Sequence, residues 1–278
     1  MWKIFVSSLL FFSSVFASEN YCLEFFVGKM LFEEPLAYTI FGDKPVAFMS
    51  IRKPSIKPFD PFFKTLSMEN CVLLKGYHQF KLFSEKISSS NLLFLFREEE
   101  ETYYLSVINK AAFIKTVDDN HLEVQNLLSP QFQIDEILDQ LIYFQGDIDR
   151  VFQSNHTLIG LFLGFGRKNS ELYHKRFQTL NKQRRFITEF PVIYYNHLDQ
   201  ISDLEFQEFH SCLSGFCLDK KHLFRPMGLP EFLVDESLEE THLLRKKYQS
   251  QRKHFLSQVA NMPLLDLFMD QVEGGYDR

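Results

Sequence analysis

The chain has 278 residues, of which 45% are hydrophobic, and its 30 basic and 36 acidic residues give a formal charge of −6. This composition excludes a disordered chain, because the apolar content suffices for one large core or two small ones. The net negative charge argues against general nucleic-acid binding. The 32 phenylalanines are expected to fill the core.

Residues 1–17 have the three parts of a secretory signal peptide. Lys3 supplies the positive start, an apolar run follows over residues 4–16, and Val15-Phe16-Ala17 forms a small-residue cleavage site. We therefore expect an exported protein, periplasmic or secreted, whose mature chain begins near Ser18. No other apolar run reaches the roughly 18 residues of a membrane span, so no transmembrane segment is expected in the mature chain.

The first half of the mature chain is predicted to combine helices with a small antiparallel β element. Helices are expected over residues 22–31, 35–42 and 62–87, and a short strand over 46–51. Segments 92–96 and 103–108 alternate in the manner of a hairpin, with four glutamates at 98–101 as its turn. That acidic turn is interpreted either as a solvated loop or as a cation site.

From Asn109 onward the pattern is helical, and a soft domain boundary is placed near 109–120. One amphipathic helix is indicated by apolar residues at helical spacing, namely Ile134, Ile137, Leu138, Leu141 and Ile142. Asp147-Ile148-Asp149 matches a metal-binding DxD string, but Asp147 after Gly146 more simply caps a helix. Ser237 and Glu240 form an SxxE capping box before a long helix, which a break at 261–263 separates from a short final one.

The segment 155–171, NHTLIGLFLGFGRKNSE, is predicted to hold a helix that is buried on all sides. Gly160 and Gly164 lie four residues apart, so one helix face is expected to allow close approach of another backbone. Gly166 is expected to break the helix. The glycine order does not match a dinucleotide or P-loop motif. Anion binding at the start of the next helix, capped by Asn169 or Ser170, is the alternative.

A basic helix is predicted after Gly166. Tyr173, Phe177 and Leu180 form an apolar stripe that should anchor it, while lysines repeat every seven residues on the opposite side. The candidate residues for binding an anionic or acidic partner are Arg167, Lys168, Lys175, Arg176, Lys182, Arg184 and Arg185. This surface is interpreted either as a solvated face or as a contact for anionic lipid, glycan or an acidic protein.

Three blocks, FGDKPV at 41–46, LFLGFGRKNS at 161–170 and LPEFLVDESLEETHLLRKKY at 229–248, resemble uncharacterised exported proteins of chlamydia-like intracellular bacteria. The resemblance implies export and a single co-folded unit over residues 18–278. It assigns no catalytic residue.

The cysteines leave three alternatives open. Cys212 and Cys217 flank a Ser-Gly turn and are disulfide candidates in an oxidising compartment, or they remain free thiols. With His210 and His222 they could also supply four zinc ligands, the one cofactor alternative to none. Cys22 and Cys71 are either a second pair or buried.

The sequence thus predicts one α+β domain that is predominantly helical, with a small antiparallel β element in its N-terminal half and a helical C-terminal half. GxSxG and HExxH strings are absent from the sequence. The favoured function is a non-enzymatic exported protein that binds a partner in the cell envelope or at a host interface. The alternative is an exported hydrolase or metal-dependent enzyme with scattered site residues.

Overall fold

A computed structural model describes residues 19–34, 36–53, 61–87, 91–127, 133–183, 227, 229–230 and 235–273. Along the chain, its helices and strands are α1 (Glu19–Phe32), α2 (Leu36–Ile40), β1 (Val46–Arg52), α3 (Pro61–Ser84), β2 (Leu92–Glu98), β3 (Thr102–Asn109), α4 (Lys110–Asp119), α5 (His121–Leu127), α6 (Ile134–Tyr143), α7 (Ile148–Val151), α8 (His156–Phe162), α9 (Arg167–Gln183), α10 (Glu239–Val259) and α11 (Leu264–Glu273). The predicted fold class, α+β and predominantly helical with a small antiparallel sheet in the N-terminal half, is confirmed.

The described strands form one antiparallel sheet of order β1-β3-β2. The predicted hairpin supplies β2 and β3, and β1 pairs along the other edge of β3, where Leu105 lies opposite both Met49 and Phe96. Successive side chains of a strand point to opposite faces of the sheet. The apolar residues of these strands therefore contribute to two cores, one on each face.

The first core lies on one sheet face and is covered by α1, α2, α3, α10 and α11. Ala47, Met49, Leu105 and Val107 point into it from the strands. Aromatic rings fill much of its volume: Phe80 lies 5.2 Å from Phe26 and 5.6 Å from Phe268 between ring centroids. The expectation that phenylalanine serves as core filling holds for this layer.

The second core lies on the opposite sheet face under α4 to α8. Val46 and Ile108 point into it from the strands, and its centre is a stack in which the Phe162 ring lies 4.4 Å from Phe113 and 4.7 Å from Phe152. The chain enters this layer at Asn109, whose side chain caps α4 by accepting a hydrogen bond from Ala112 N at 3.0 Å. The chain thus passes from the sheet to the second layer at the start of the segment 109–120.

Candidate functional site

Helix α8 lies in the second core, as the segment 155–171 predicts. Asn155 caps it by accepting hydrogen bonds from Thr157 N and Leu158 N at 3.1 and 3.3 Å. Leu158 and Phe162 are fully buried. The helix has seven residues and packs against the helix that follows it.

Gly160 brings the backbones of α8 and α9 together. A Cβ atom at Gly160 would lie 2.4 Å from Ser170 Oγ and 3.3 Å from Ser170 Cα. Asn169 and Ser170 are each 1% exposed, so the first turn of α9 is packed against α8. The predicted close approach at Gly160 is confirmed.

The prediction that Gly164 shares a helix face with Gly160 is wrong. Helix α8 ends at Phe162, and Gly164 and Gly166 follow it with φ values of 77° and 79°. The two glycines allow the left-handed backbone that turns the chain into α9. Gly164 is nevertheless a site of close approach, because Tyr248 Oη of α10 donates a hydrogen bond to its carbonyl oxygen at 2.7 Å.

The N-terminus of α9 binds a carboxylate of this same chain. Glu240 Oε1 accepts a hydrogen bond from Arg167 N at 3.0 Å, and Glu240 Oε2 accepts one from Asn169 N at 3.1 Å. A carboxylate satisfies free N–H groups and the positive end of the helix dipole together. The anion-binding alternative for this helix start is therefore met by a carboxylate from within the protein.

This contact overturns two predicted helix caps. Glu240 does not form a capping box with Ser237: α10 begins after Leu238 with no side-chain cap, and Ser237 Oγ donates instead to Asp235 Oδ1 at 2.6 Å. Asn169 does not cap α9 either, since its side chain donates to Phe165 O and accepts from Thr241 Oγ1. The carboxylate of Glu240 therefore caps a helix that is distant in the sequence, and α10 is left without a side-chain cap.

Lys44 is a buried lysine beside this junction. Lys44 is 2% exposed, and its ammonium nitrogen lies 5.8 Å from the centre of the Phe165 ring. Burial lowers the pKa of Lys44 to about 7, although the charge of Glu34 opposes the shift. Phe165 packs against both cores, so Lys44 lies where the two helical layers meet.

The described parts of the three sequence blocks at 41–46, 161–170 and 229–248 converge at this place. Asp43, in the first block, pairs with Lys247 of the third at 2.8 Å. Tyr248 of the third block binds Gly164 of the second. A Cβ atom at Gly164 would lie 3.2 Å from Lys44 Cγ. The junction is a structural connection that fixes the first turn of α9 relative to both layers.

The basic residues predicted on α9 divide into two groups. Arg167 forms ion pairs with Glu123 at 2.5 Å and Glu171 at 3.0 Å, so it connects α9 to α5. Lys168 and Lys175 are exposed, Arg176 is half-buried, and Lys182 lies in the last described turn of the helix. Arg184 and Arg185 lie outside the described residues.

The apolar stripe of α9 contacts α8 only in part. The Tyr173 and Phe177 rings lie 5.3 and 4.0 Å from the His156 ring at the start of α8. They remain 39% and 37% exposed, so these two rings rest on one imidazole and do not anchor α9 in the core as predicted. Burial lowers the pKa of His156; the charge of Asp149 opposes this shift, and that of His174 adds to it.

The predicted disulfide and zinc residues His210, Cys212, Cys217 and His222 lie outside the described residues. Cys22 and Cys71 are both free thiols, the first buried and the second exposed, so they form no pair with each other. Within the described ranges, no group of three or more His, Cys, Asp or Glu side chains is placed to hold a metal ion.

Among the described helices, none has the length and apolar content needed to cross a membrane. Comparison with known proteins finds no matching family model, no similar curated protein and no similar solved structure.

Sequence reasoning missed the roles of Lys44 and Glu240. The sequence feature at Lys44 is a lysine between Gly42 and Pro45, just before a strand. An ordinary turn has the same pattern, so the burial of Lys44 could not be predicted from it. The residues around Glu240 do not indicate whether its carboxylate caps its own helix, α10, or the start of a distant helix.

Proposed function

We propose that this chain is an exported, non-enzymatic binding protein of the cell envelope or of a host interface. In this proposal, Lys168, Lys175 and Lys182 form the lysine face of α9, which binds an anionic membrane surface.

The observation that carries the proposal is that Lys168 and Lys175 are exposed while the first turn of α9 is packed against α8. At about 100° per residue, these two lysines lie roughly 140–160° around the helix from Ser170, which is buried against α8. Docking of α9 through one face therefore turns the lysines outward.

The geometry of the lysine face suits a flat anionic surface. A seven-residue repeat spaces the three lysines by about 10.5 Å and rotates them by only about 20° per repeat. Helix α9 carries five basic residues against one acid, Glu171, in a chain whose net charge is −6. A lysine ammonium group acts as a compact point charge without a preferred direction. It is therefore better suited to general attraction by many anionic headgroups than to one directional contact.

The test compares two triple variants of equal charge. Each lysine near an anionic membrane contributes about 1 kcal/mol, so K168Q/K175Q/K182Q should bind vesicles about 100-fold more weakly than the wild type. The matched control is K75Q/K81Q/K86Q, which removes three exposed lysines of α3 and the turn that follows it. Binding is measured by co-sedimentation with vesicles of phosphatidylglycerol and phosphatidylcholine.

Equal losses in both variants would contradict the proposal, because they would reflect net charge alone. Lysine-dependent retention on heparin, without binding to the anionic vesicles, would reject the membrane and indicate an anionic glycan. Both variants should keep the melting temperature of the wild type, since surface substitutions usually change stability by less than about 0.5 kcal/mol.

A further inference from the structure

A depression of about 550 Å³ lies between the end of β2 and the turn that connects α6 to α7. Sites for small molecules span about 300–1,000 Å³, so its size suits a small ligand. It is built from other elements than the lysine face of α9, and its interpretation does not depend on membrane binding.

The backbone of this turn is held against the sheet. Gly146 N donates to Leu141 O at 2.8 Å, and Ser106 Oγ of β3 donates to Gly146 O at 3.1 Å. Gln145, which lines the depression, has a φ of 53°, a left-handed conformation that costs energy in residues other than glycine. Hydrogen bonds to the sheet and within the chain therefore fix the turn that lines the depression.

Polar side chains of the depression hold each other in place. The Asp147 carboxylate pairs with Arg97 and accepts a hydrogen bond from Arg150 N at 3.2 Å, which caps α7 as predicted. Arg97 Nη1 also pairs with Glu99 at 3.2 Å, and its guanidinium lies 4.4 Å from the centre of the Tyr104 ring. Carboxylate acceptors and guanidinium donors thus stand side by side in fixed positions.

The charges at the depression balance once the ion pair of Glu98 is included. Two arginines and three acids line the depression, and one of these acids, Glu98, is paired at 2.6 Å with Lys53, which lies outside the lining. A site of balanced charge gives no electrostatic preference to an anion or a cation. The ligand that matches it is neutral and offers both donors and acceptors.

An exposed aromatic ring completes the site. Tyr143 is 79% exposed, and its ring meets Phe144 edge-on at 4.9 Å between centroids. An aromatic face accepts an apolar surface, while the neighbouring polar groups bind hydroxyls. A sugar ring combines an apolar face of C–H groups with a rim of hydroxyls. We infer that the depression binds a neutral saccharide, stacked on Tyr143 and hydrogen-bonded by Arg97, Asp147 and Arg150.

Saturation-transfer difference NMR on the full chain tests this inference with three neutral probes, namely maltotriose, cellotriose and triacetylchitotriose. At least one probe should receive saturation, and Tyr143→Ala should weaken its binding by up to about tenfold through loss of the stacking surface. Tyr173→Ala, which removes an exposed tyrosine of α9, is the matched control and should bind as the wild type does.

Two further results decide the inference. Arg150→Gln should weaken binding of the same probe, because the Arg150 guanidinium is one of the three groups that hydrogen-bond the saccharide. The inference is overturned if none of the three probes binds, or if Tyr143→Ala and Tyr173→Ala bind equally. Both tyrosines are exposed, so circular dichroism should show the same fold for both variants.

Discussion

Removing the carboxylate of Glu240 tests how α9 is held in place. Glu240→Ala deletes the acceptor for Arg167 N and Asn169 N, which lie 3.0 and 3.1 Å from its oxygens. A hydrogen bond to a charged group contributes about 1.5–3 kcal/mol when buried, and loss of a helix cap costs about 0.5–2 kcal/mol. Because this contact is partly exposed, we expect a loss of about 2 kcal/mol.

Thermal and urea unfolding measure that loss. A change of about 2 kcal/mol corresponds to a shift of about 4–8 °C in Tm for a chain of this size. Glu239→Ala is the matched control, because the exposed Glu239 is also an acid in the first turn of α10. Glu239→Ala should lower the free energy of unfolding only by the interaction of this charge with the dipole of α10, about 0.3–1 kcal/mol.

Hydrogen exchange at the amides of Arg167 and Asn169 separates this contact from a capping box. In Glu240→Ala both amides should exchange faster, while Ser237→Ala should leave them unchanged. If Glu240 instead served its own helix, Ser237→Ala would cost as much stability as Glu240→Ala. Equal stability of the Glu239 and Glu240 variants would refute the assignment.

Two other positions of the junction give sharp expectations. Gly164→Ala should destabilise by about 1–3 kcal/mol, because it forces a side chain into a φ of 77° and places Cβ 2.4 Å from Tyr248 Oη. Removing that hydroxyl in Gly164→Ala/Tyr248→Phe should cost less than the sum of the single changes, and additivity would show that no clash occurs. The pKa of Lys44 is about 7 in the folded protein, below its ordinary value of 10.5. Between these two pH values the unfolded chain therefore binds more protons than the folded protein. Wild-type stability should therefore rise from pH 7 to pH 9 in urea titrations. Lys44→Met should be more stable at pH 7 and should lose part of this rise, and an unchanged pH dependence would contradict the burial of Lys44.

Local patterns in the sequence were sufficient to predict most elements. Alternation over 92–96 and 103–108 indicated the hairpin that the structure forms as β2 and β3. Asp147 was correctly interpreted as a helix cap. These predictions hold because the relevant partner lies within a few residues along the chain.

The predictions that failed depend on long-range partners. Glu240 satisfies a helix start 73 residues earlier, and no local rule favours that contact over a capping box. Ile142 follows the helical repeat of α6, yet it is 47% exposed while its neighbour Leu141 is fully buried, so the spacing alone did not give the width of the buried face. The depression at Tyr143 was missed for the same reason, since Arg97 and Asp147 stand 50 residues apart.

The salt dependence of wild-type binding to anionic vesicles tests the proposed role of the lysine face most directly. The screening length falls from about 30 Å at 0.01 M salt to about 10 Å at 0.1 M, which is close to the lysine spacing of about 10.5 Å. If Lys168, Lys175 and Lys182 supply the attraction, binding should weaken steeply across this range. Binding that stays constant would contradict the electrostatic account and would indicate insertion of Tyr173 and Phe177 instead.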